Sequence, residues 1–172
     1  MEYWDVYDEY RRPTGRVRAR GEDFLPGEYH QVVSVCVFGM DGRMLIQKRA
    51  DCKKQWPGRW DISMIGNAVA GEDARQAARR ELREELGIDV DFTHRRPNLT
   101  LTYQCGFNDY FLIRQDLDIS RLRLQEDEVA AAAWADRDQV RQLLAEGLFI
   151  PYYPAVIDLF FDMQDGYMYM LK

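Results

Sequence analysis

Residues 29–38, YHQVVSVCVF, make a β-branched and largely apolar run of strand length, which predicts a buried strand. GMDG at 39–42 supplies a turn, and RMLIQKR at 43–49 returns as a second strand. After a basic stretch at 50–59, WDISMIG at 60–66 reads as one short strand. From about Asp73 to Leu86 the apolar positions change to a helical period, and Gly87 ends it as a glycine just past a helix does. LTLTYQCGFNDYFLIRQ at 99–115 predicts one or two strands, bent near Gly106. Residues 128–135 predict a strand leading to Asp136, which can cap a helix bearing Val140, Leu143 and Leu144. Pro154 opens a last helix over AVIDLFFDM. The first 28 residues read as a hairpin turning near Pro13-Thr14-Gly15, and the tail GYMYMLK is apolar enough to pack or pair.

Strands and helices in this order predict an α/β layered domain. The 172 residues contain no repeat or linker, so the expectation is one domain over 1–172. Within it, 1–28 is an N-terminal hairpin extension and 151–172 a C-terminal helix and tail. Hydrophobic residues make up 47%, enough for a core. With 30% charged residues and no apolar run of ~20, a membrane span is not expected. A net charge of -6 argues against a nucleic-acid partner, which calls for a basic face. Cys36, Cys52 and Cys105 are odd in number and form no CxxC pair, which speaks against a disulfide framework or a zinc site. With an acidic, aromatic start in place of a basic leader, these features predict a cytoplasmic protein.

Candidate chemistry centres on the helix. Steps of ~100° per residue place Glu81 and Glu85 about 40° apart, with Glu84 about 60° to the other side of Glu81. Like charges this close cost roughly 0.2–0.5 kcal/mol per pair in an isolated helix. Ala74, Ala77 and Ala78 continue the stripe and let another backbone approach. One reading is a solvated face screened by Arg75, Arg79, Arg80 and Arg83. The other is a divalent-cation site, since clustered carboxylate oxygens suit a hard cation such as Mg²⁺.

The wider spacing decides between them. Gly66, five residues, Glu72, seven residues, then Arg80-Glu81-Leu82-x-Glu84-Glu85-x-Gly87-Ile88 resembles the Nudix box at every position. At average residue usage a chance match is on the order of one in ten million. The lead-in GRWDIS at 58–63 is similar to Nudix proteins too, and WDISMIGNAVAGE resembles the branch that includes isopentenyl-diphosphate isomerase.

The resemblance implies an α/β/α sandwich with a mixed sheet and a loop–helix–loop box. It implies Mg²⁺ or Mn²⁺ held by Glu81, Glu84 and Glu85 with the backbone carbonyl of Ile65. Arg80 and Glu72 would form a structural ion pair, and Gly66 and Gly87 would serve close approach and helix exit. The implied reaction is water attack on phosphorus in a small-molecule diphosphate, a nucleoside diphosphate linked to another moiety or a related compound. Glu81, Glu84 and Glu85 would share the catalytic work.

Outside the box, Lys48, Arg49, Lys53, Lys54 and Arg59 form a basic cluster that either binds phosphate or is an ordinary solvated loop. Arg49 is the foremost substrate-binding candidate because a guanidinium grips phosphate bidentately, with Lys48 beside it. QEDE at 125–128 is either a further acid of the site or a surface turn. Glu128 is the candidate general base, and Glu126 the alternative, two residues along the same strand face. Trp56, Trp60 and Tyr103 can stack on a ring or pack. His30 and His94 receive no role. Tyr152, Tyr153, Phe160, Phe161, Tyr167 and Tyr169 are expected in the core or on a homodimer surface.

Two other functions share the fold. The isomerase pattern has a catalytic cysteine just before the box glycine and a metal-binding histidine just after it, where this chain has Ile65 and Asn67. A non-catalytic binding domain has no need of all three carboxylates. No signature narrows the substrate.

Overall fold

The computed structural model describes residues 1–166, and its sheet is organised by a split. Strand β3 (His30–Phe38) is buried along its whole length and occupies the centre. It pairs in parallel with β8 (Gly106–Arg114) and antiparallel with β6 (Met64–Asn67). Strand β4 (Met44–Arg49) meets β3 only at Phe38↔Met44, the end nearest the turn. It then turns away to pair with β5 (Trp60–Asp61) and β9 (Val129–Ala135). On the far side β7 (Leu99–Tyr103) pairs antiparallel with β8. The sheet is therefore mixed, in the order β5-β4-β3-β8-β7, with β6 on β3 and β9 on β4.

The expected single strand at 60–66 is two strands on different partners. Ser63 crosses the gap: its hydroxyl donates to the Leu45 carbonyl (2.5 Å) and accepts the Val37 amide (2.8 Å). One serine thus satisfies backbone groups that an unbroken ladder would have paired.

Alternation along β3 divides the core. Val33, Val35 and Val37 face helix α1 (Ala74–Leu86), packing with Ala77, Ala78, Leu82 and Leu86. Cys36 and Phe38 face the opposite way, toward α2 (Arg137–Ala145) and α3 (Pro154–Met163), with Val140, Ile157, Phe160 and Phe161. Each fully buried leucine or phenylalanine contributes about 1.5–3 kcal/mol, so both helix layers are held by side chains the sequence spaces for them. The result is an α/β/α arrangement. Asp73 and Gln76 form a capping box at the start of α1, and Asp136 and Gln139 form another on α2.

The N-terminal hairpin is present as β1 (Tyr3–Tyr7) and β2 (Pro13–Ala19), but its turn lies earlier than expected. The Asp8 carboxylate accepts the Tyr10 and Arg12 amides, and this side-chain turn displaces Pro13 to the first position of β2. Residues 99–115 are two strands. A Cβ at Gly106 would stand 2.3 Å from the His30 carbonyl oxygen, so the close approach of β3 admits only glycine there. Phe160 and Phe161 are core residues and Tyr153 is exposed, while Tyr167 and Tyr169 of the tail lie outside the described residues. No helix among the described residues is long and apolar enough to cross a membrane.

Candidate active site

The C-terminal half of α1 lies against the split. Gly66 on β6 makes this possible: a Cβ there would fall 2.3–2.6 Å from Glu81 side-chain atoms. Glu81 Oε1 accepts the Asn67 amide at 3.2 Å and lies 3.1 Å from Arg80 Nη1. Arg80 is the hub. It forks onto Glu72 (2.8 and 2.9 Å), reaches Glu84 at 3.1 Å, and donates to the Asn67 carbonyl at 2.9 Å. The Glu72 hydrogen bonds raise the Arg80 pKa, the mark of a cation embedded among acids. Gly87, at φ 71°, ends the helix and donates to Arg83 and Leu82 carbonyls. A Cβ there would stand 2.9 Å from Arg123 Cβ.

The three carboxylates of the turn end in three environments. Glu84 keeps 53% of its side chain in solvent. Glu81 is nearly buried, and loss of water raises its pKa in spite of Arg80. Glu85 is 7% exposed and accepts a hydrogen bond from Gln47 Nε2 at 3.1 Å. Burial, then the nearby Glu81 and Glu128 charges, push its pKa up to about 8. Such mutual repulsion without water is an unmet demand for positive charge, and an all-oxygen donor set fits a hard divalent cation. No three His, Cys, Asp or Glu side chains among the described residues already stand in a metal-ligating cluster. Arg80 draws Glu81 and Glu84 toward itself instead. Ile65 is half-buried on β6, opposite Ser34.

Residues 125–128 form a turn closed by the Glu128 amide on the Gln125 carbonyl (2.9 Å), and β9 starts only at Val129. The premise that Glu126 shares a strand face with Glu128 therefore fails, because a turn does not alternate. Glu128 pairs with Lys53, and its charge reaches Glu85. The same loop closes the end of α1: the Arg123 and Gln125 amides donate to Leu86 and Glu85 carbonyls (3.1 and 3.0 Å).

The basic cluster is dispersed. Lys53 is held by Glu128, and Arg59 donates to the Gly147 carbonyl and covers the Trp56 ring. Arg49 donates to the Gln55 carbonyl (3.1 Å) and stands 4.0 Å from Asp61 Oδ2. Strand alternation turns Lys48 to the face opposite Gln47. Trp56 is 44% exposed, Trp60 packs on the α2–α3 side, and Tyr103 spends its hydroxyl on His30 Nε2 at 2.6 Å. His30 stacks against both Trp4 and Phe24, and burial lowers its pKa to about 4.

Two residues escaped the sequence reading. Gln47 orients Glu85. Asp61 is wholly buried: Oδ1 takes the Ile62 amide and the Tyr152 hydroxyl, Oδ2 has no hydrogen bond, and burial lifts the pKa to about 7. Gln47 shares β4 with Lys48 and Arg49, and Asp61 stands two residues from Ser63, so no lone polar residue in an apolar strand marked either one.

A mixed sheet between helix layers, with a glycine-bounded loop–helix–loop crowding carboxylates into a split, defines a class of acidic-site α/β enzymes. Within it, the chain belongs to the Nudix hydrolase family: residues 28–155 match the NUDIX domain. It is 44% identical to an uncharacterized Nudix hydrolase of Listeria monocytogenes, over 89% of this chain and 90% of that one. It is 30% identical to an isopentenyl-diphosphate Delta-isomerase of Pectobacterium atrosepticum, over 80% and 78% of the two chains. A crystal structure from Deinococcus radiodurans shares the fold, with TM-score 0.75 at 22% identity over 92% of this chain and 97% of that one.

Proposed function

We propose that this chain hydrolyses a diphosphate bond, in a nucleoside diphosphate linked to another moiety or in a related organic diphosphate, by water attack at phosphorus. The observation that carries the reading is Glu85, buried in the split and destabilised as an anion by Glu81 and Glu128. Glu81, Glu84, Glu85 and the Ile65 carbonyl would hold Mg²⁺ or Mn²⁺. A cation bound there neutralises diphosphate oxygens that otherwise repel a nucleophile.

The chain's own residues do the rest. Arg49, held at one side by the Gln55 carbonyl, offers its guanidinium to a phosphate. Gln47 fixes the direction of Glu85. Glu128 accepts the proton of the attacking water, and Lys53 holds its carboxylate in place. The Arg80–Glu72 pair ties the loop before α1 to the helix. Residues 1–172 act as one unit. The three free cysteines support a reducing cytosol, and exposed Tyr153 and Leu159 support a homodimer.

A panel of nucleoside and non-nucleoside diphosphates with Mg²⁺, scored for phosphate or monophosphate release, tests this. Turnover on at least one compound, abolished by a chelator, is expected; turnover that survives the chelator rejects the metal role. Glu128→Gln is expected to lower turnover about 10²-fold or more, the contribution of a positioned base. A wild-type rate in that variant places the base elsewhere.

The isomerase relatives support a second reading, proton shifts on isopentenyl diphosphate. The Ile65 side chain neither donates nor accepts a proton, and the Asn67 amide replaces imidazole poorly. No dimethylallyl diphosphate is expected from isopentenyl diphosphate, and its formation at a rate matching the hydrolysis would reverse the assignment.

A further inference from the structure

Each backbone amide of the loop before α1, residues 68–73, has a hydrogen-bond partner. The Ala68 amide donates to the Gln31 carbonyl (3.1 Å), and Val69 to Glu72 Oε2 (3.1 Å). Ala70 donates to the Tyr3 carbonyl (2.8 Å), and Gly71 to Asp5 Oδ2 (2.8 Å). Glu72 donates back to the Val69 carbonyl (3.0 Å), and Asp73 to Gln76 Oε1 (2.8 Å). Two of these six acceptors belong to β1, more than sixty residues away in the chain. Gly71 sits at φ 87°, so its amide is aimed by a backbone shape that few other residues adopt.

The hairpin that supplies those acceptors is itself fixed. The Tyr7 and Tyr29 amides and carbonyls exchange hydrogen bonds at 2.8 and 3.0 Å. Arg11, at the hairpin tip with φ 60°, reaches Asp109 at 2.7 Å and Gln31 at 2.9 Å. Trp4 stacks on His30 with ring centroids 4.9 Å apart, and Val6 is buried. Strand β1 is thus referenced to β3 and β8, the rigid centre of the sheet.

We propose that Asp5 is a positioning residue for the metal site, acting through the loop. Glu72, next to Gly71, grips Arg80, and Arg80 touches both Glu81 and Glu84. A loop released from Asp5 carries Glu72 with it and lets Arg80 shift against the two carboxylates. The hairpin is then part of the active site's framework. This rests on the reading of Glu81, Glu84 and Glu85 as cation ligands.

The test is Mn²⁺ titration of the full chain, followed by electron paramagnetic resonance, for the unsubstituted protein, Asp5→Ala and Asp5→Asn. Asp5→Ala is expected to weaken Mn²⁺ binding about threefold to tenfold, the range for loss of one hydrogen bond. Asp5→Asn keeps an acceptor oxygen and is expected to restore the affinity to within about twofold. Unchanged affinity in Asp5→Ala, or no rescue by Asp5→Asn, overturns the proposal while the cation site stands. Absence of Mn²⁺ binding by the unsubstituted protein overturns both.

Discussion

Arg80 and Arg141 each gather carboxylates about a helix. Arg80 forks onto Glu72 and meets Glu81 and Glu84 at 3.1 Å, with a quarter of its side chain exposed. Arg141 bonds Asp158 of α3 at 2.9 Å and lies 3.5 Å from Asp138, with 47% of its side chain exposed. One carboxylate beside each arginine, Asp158 and Glu81, responds in the opposite direction to the other. The Arg141 hydrogen bond pulls the Asp158 pKa down, because water remains to solvate the anion. Glu81 goes up although Arg80 touches it, because burial outweighs the partner. The same ion pair is a surface staple where solvent stays. It is a store of unrelieved negative charge where the sheet splits and a helix closes over the gap.

The sharpest way to break this contrast is Glu85→Gln. Turnover on the best diphosphate should fall roughly 10³-fold, equivalent to several kcal/mol of charge stabilisation at the reacting centre. Thermal stability should hold, since a neutral amide suits a site that already disfavours the carboxylate. Wild-type turnover in this variant would mean the buried acid has no part in the chemistry.

Arg80→Ala comes next. Removing one side of a largely buried pair should cost about 3 kcal/mol, the low end of the usual range because Arg80 keeps some contact with water. That corresponds to a melting point lower by roughly 6–12 °C in a chain of this size, with activity reduced as well. Unchanged melting would put Arg80 in the same category as Arg141.

Asp61→Asn separates burial from pairing through pH. The folded-state pKa of Asp61, about 7, lies above the unfolded carboxylate value, so the folded state binds the extra proton between pH ~4 and ~7. Its stabilising contribution is fully present below pH ~4 and is lost as the pH rises through ~7. Denaturant melts across this window should show a decline in stability that is smaller in Asp61→Asn, by up to about 1.4 kcal/mol per pH unit. Identical pH dependence in the two proteins would show that Asp61 stays ionised. Arg141→Ala is the mildest case, with a melting shift of about 2 °C or less and unaltered turnover. A larger drop would show that the α2–α3 seam depends on its ion pairs more than on Val140, Ile157 and Phe160.

What the sequence determined lies within a few residues along the chain. Helix α1 is written in the Asp73–Gln76 capping box, the spacing of Ala77, Ala78, Leu82 and Leu86, and the stop at Gly87. The β-branched run at 30–38 marks the central strand, and the box spacing marks the family. The helix and the strand depend on periods and caps whose partners stand one to four positions away, and the box on fixed steps of no more than eight, so a linear reading sees both members. The resemblance to the Nudix box implied a close approach at Gly66, and only the structure shows Glu81 filling the space.

Tertiary structure decided the rest. The hairpin turn moved because Asp8 captured two amides ahead of the Pro-Thr-Gly signal. WDISMIG broke in two because β3 and β4 diverge, a property of two strands and not of one. The basic loop read equally as a phosphate site or a solvated loop, and only the fold shows Lys53 on Glu128 and Arg59 on the Gly147 carbonyl, partners 75 and 88 residues away. Gln47, Asp61 and Asp5 matter through contacts 38, 91 and 66 positions distant. A charge or an amide shows its type in the sequence, but its energy depends on how much water is left and which group comes within 3 Å. Only the folded chain fixes both.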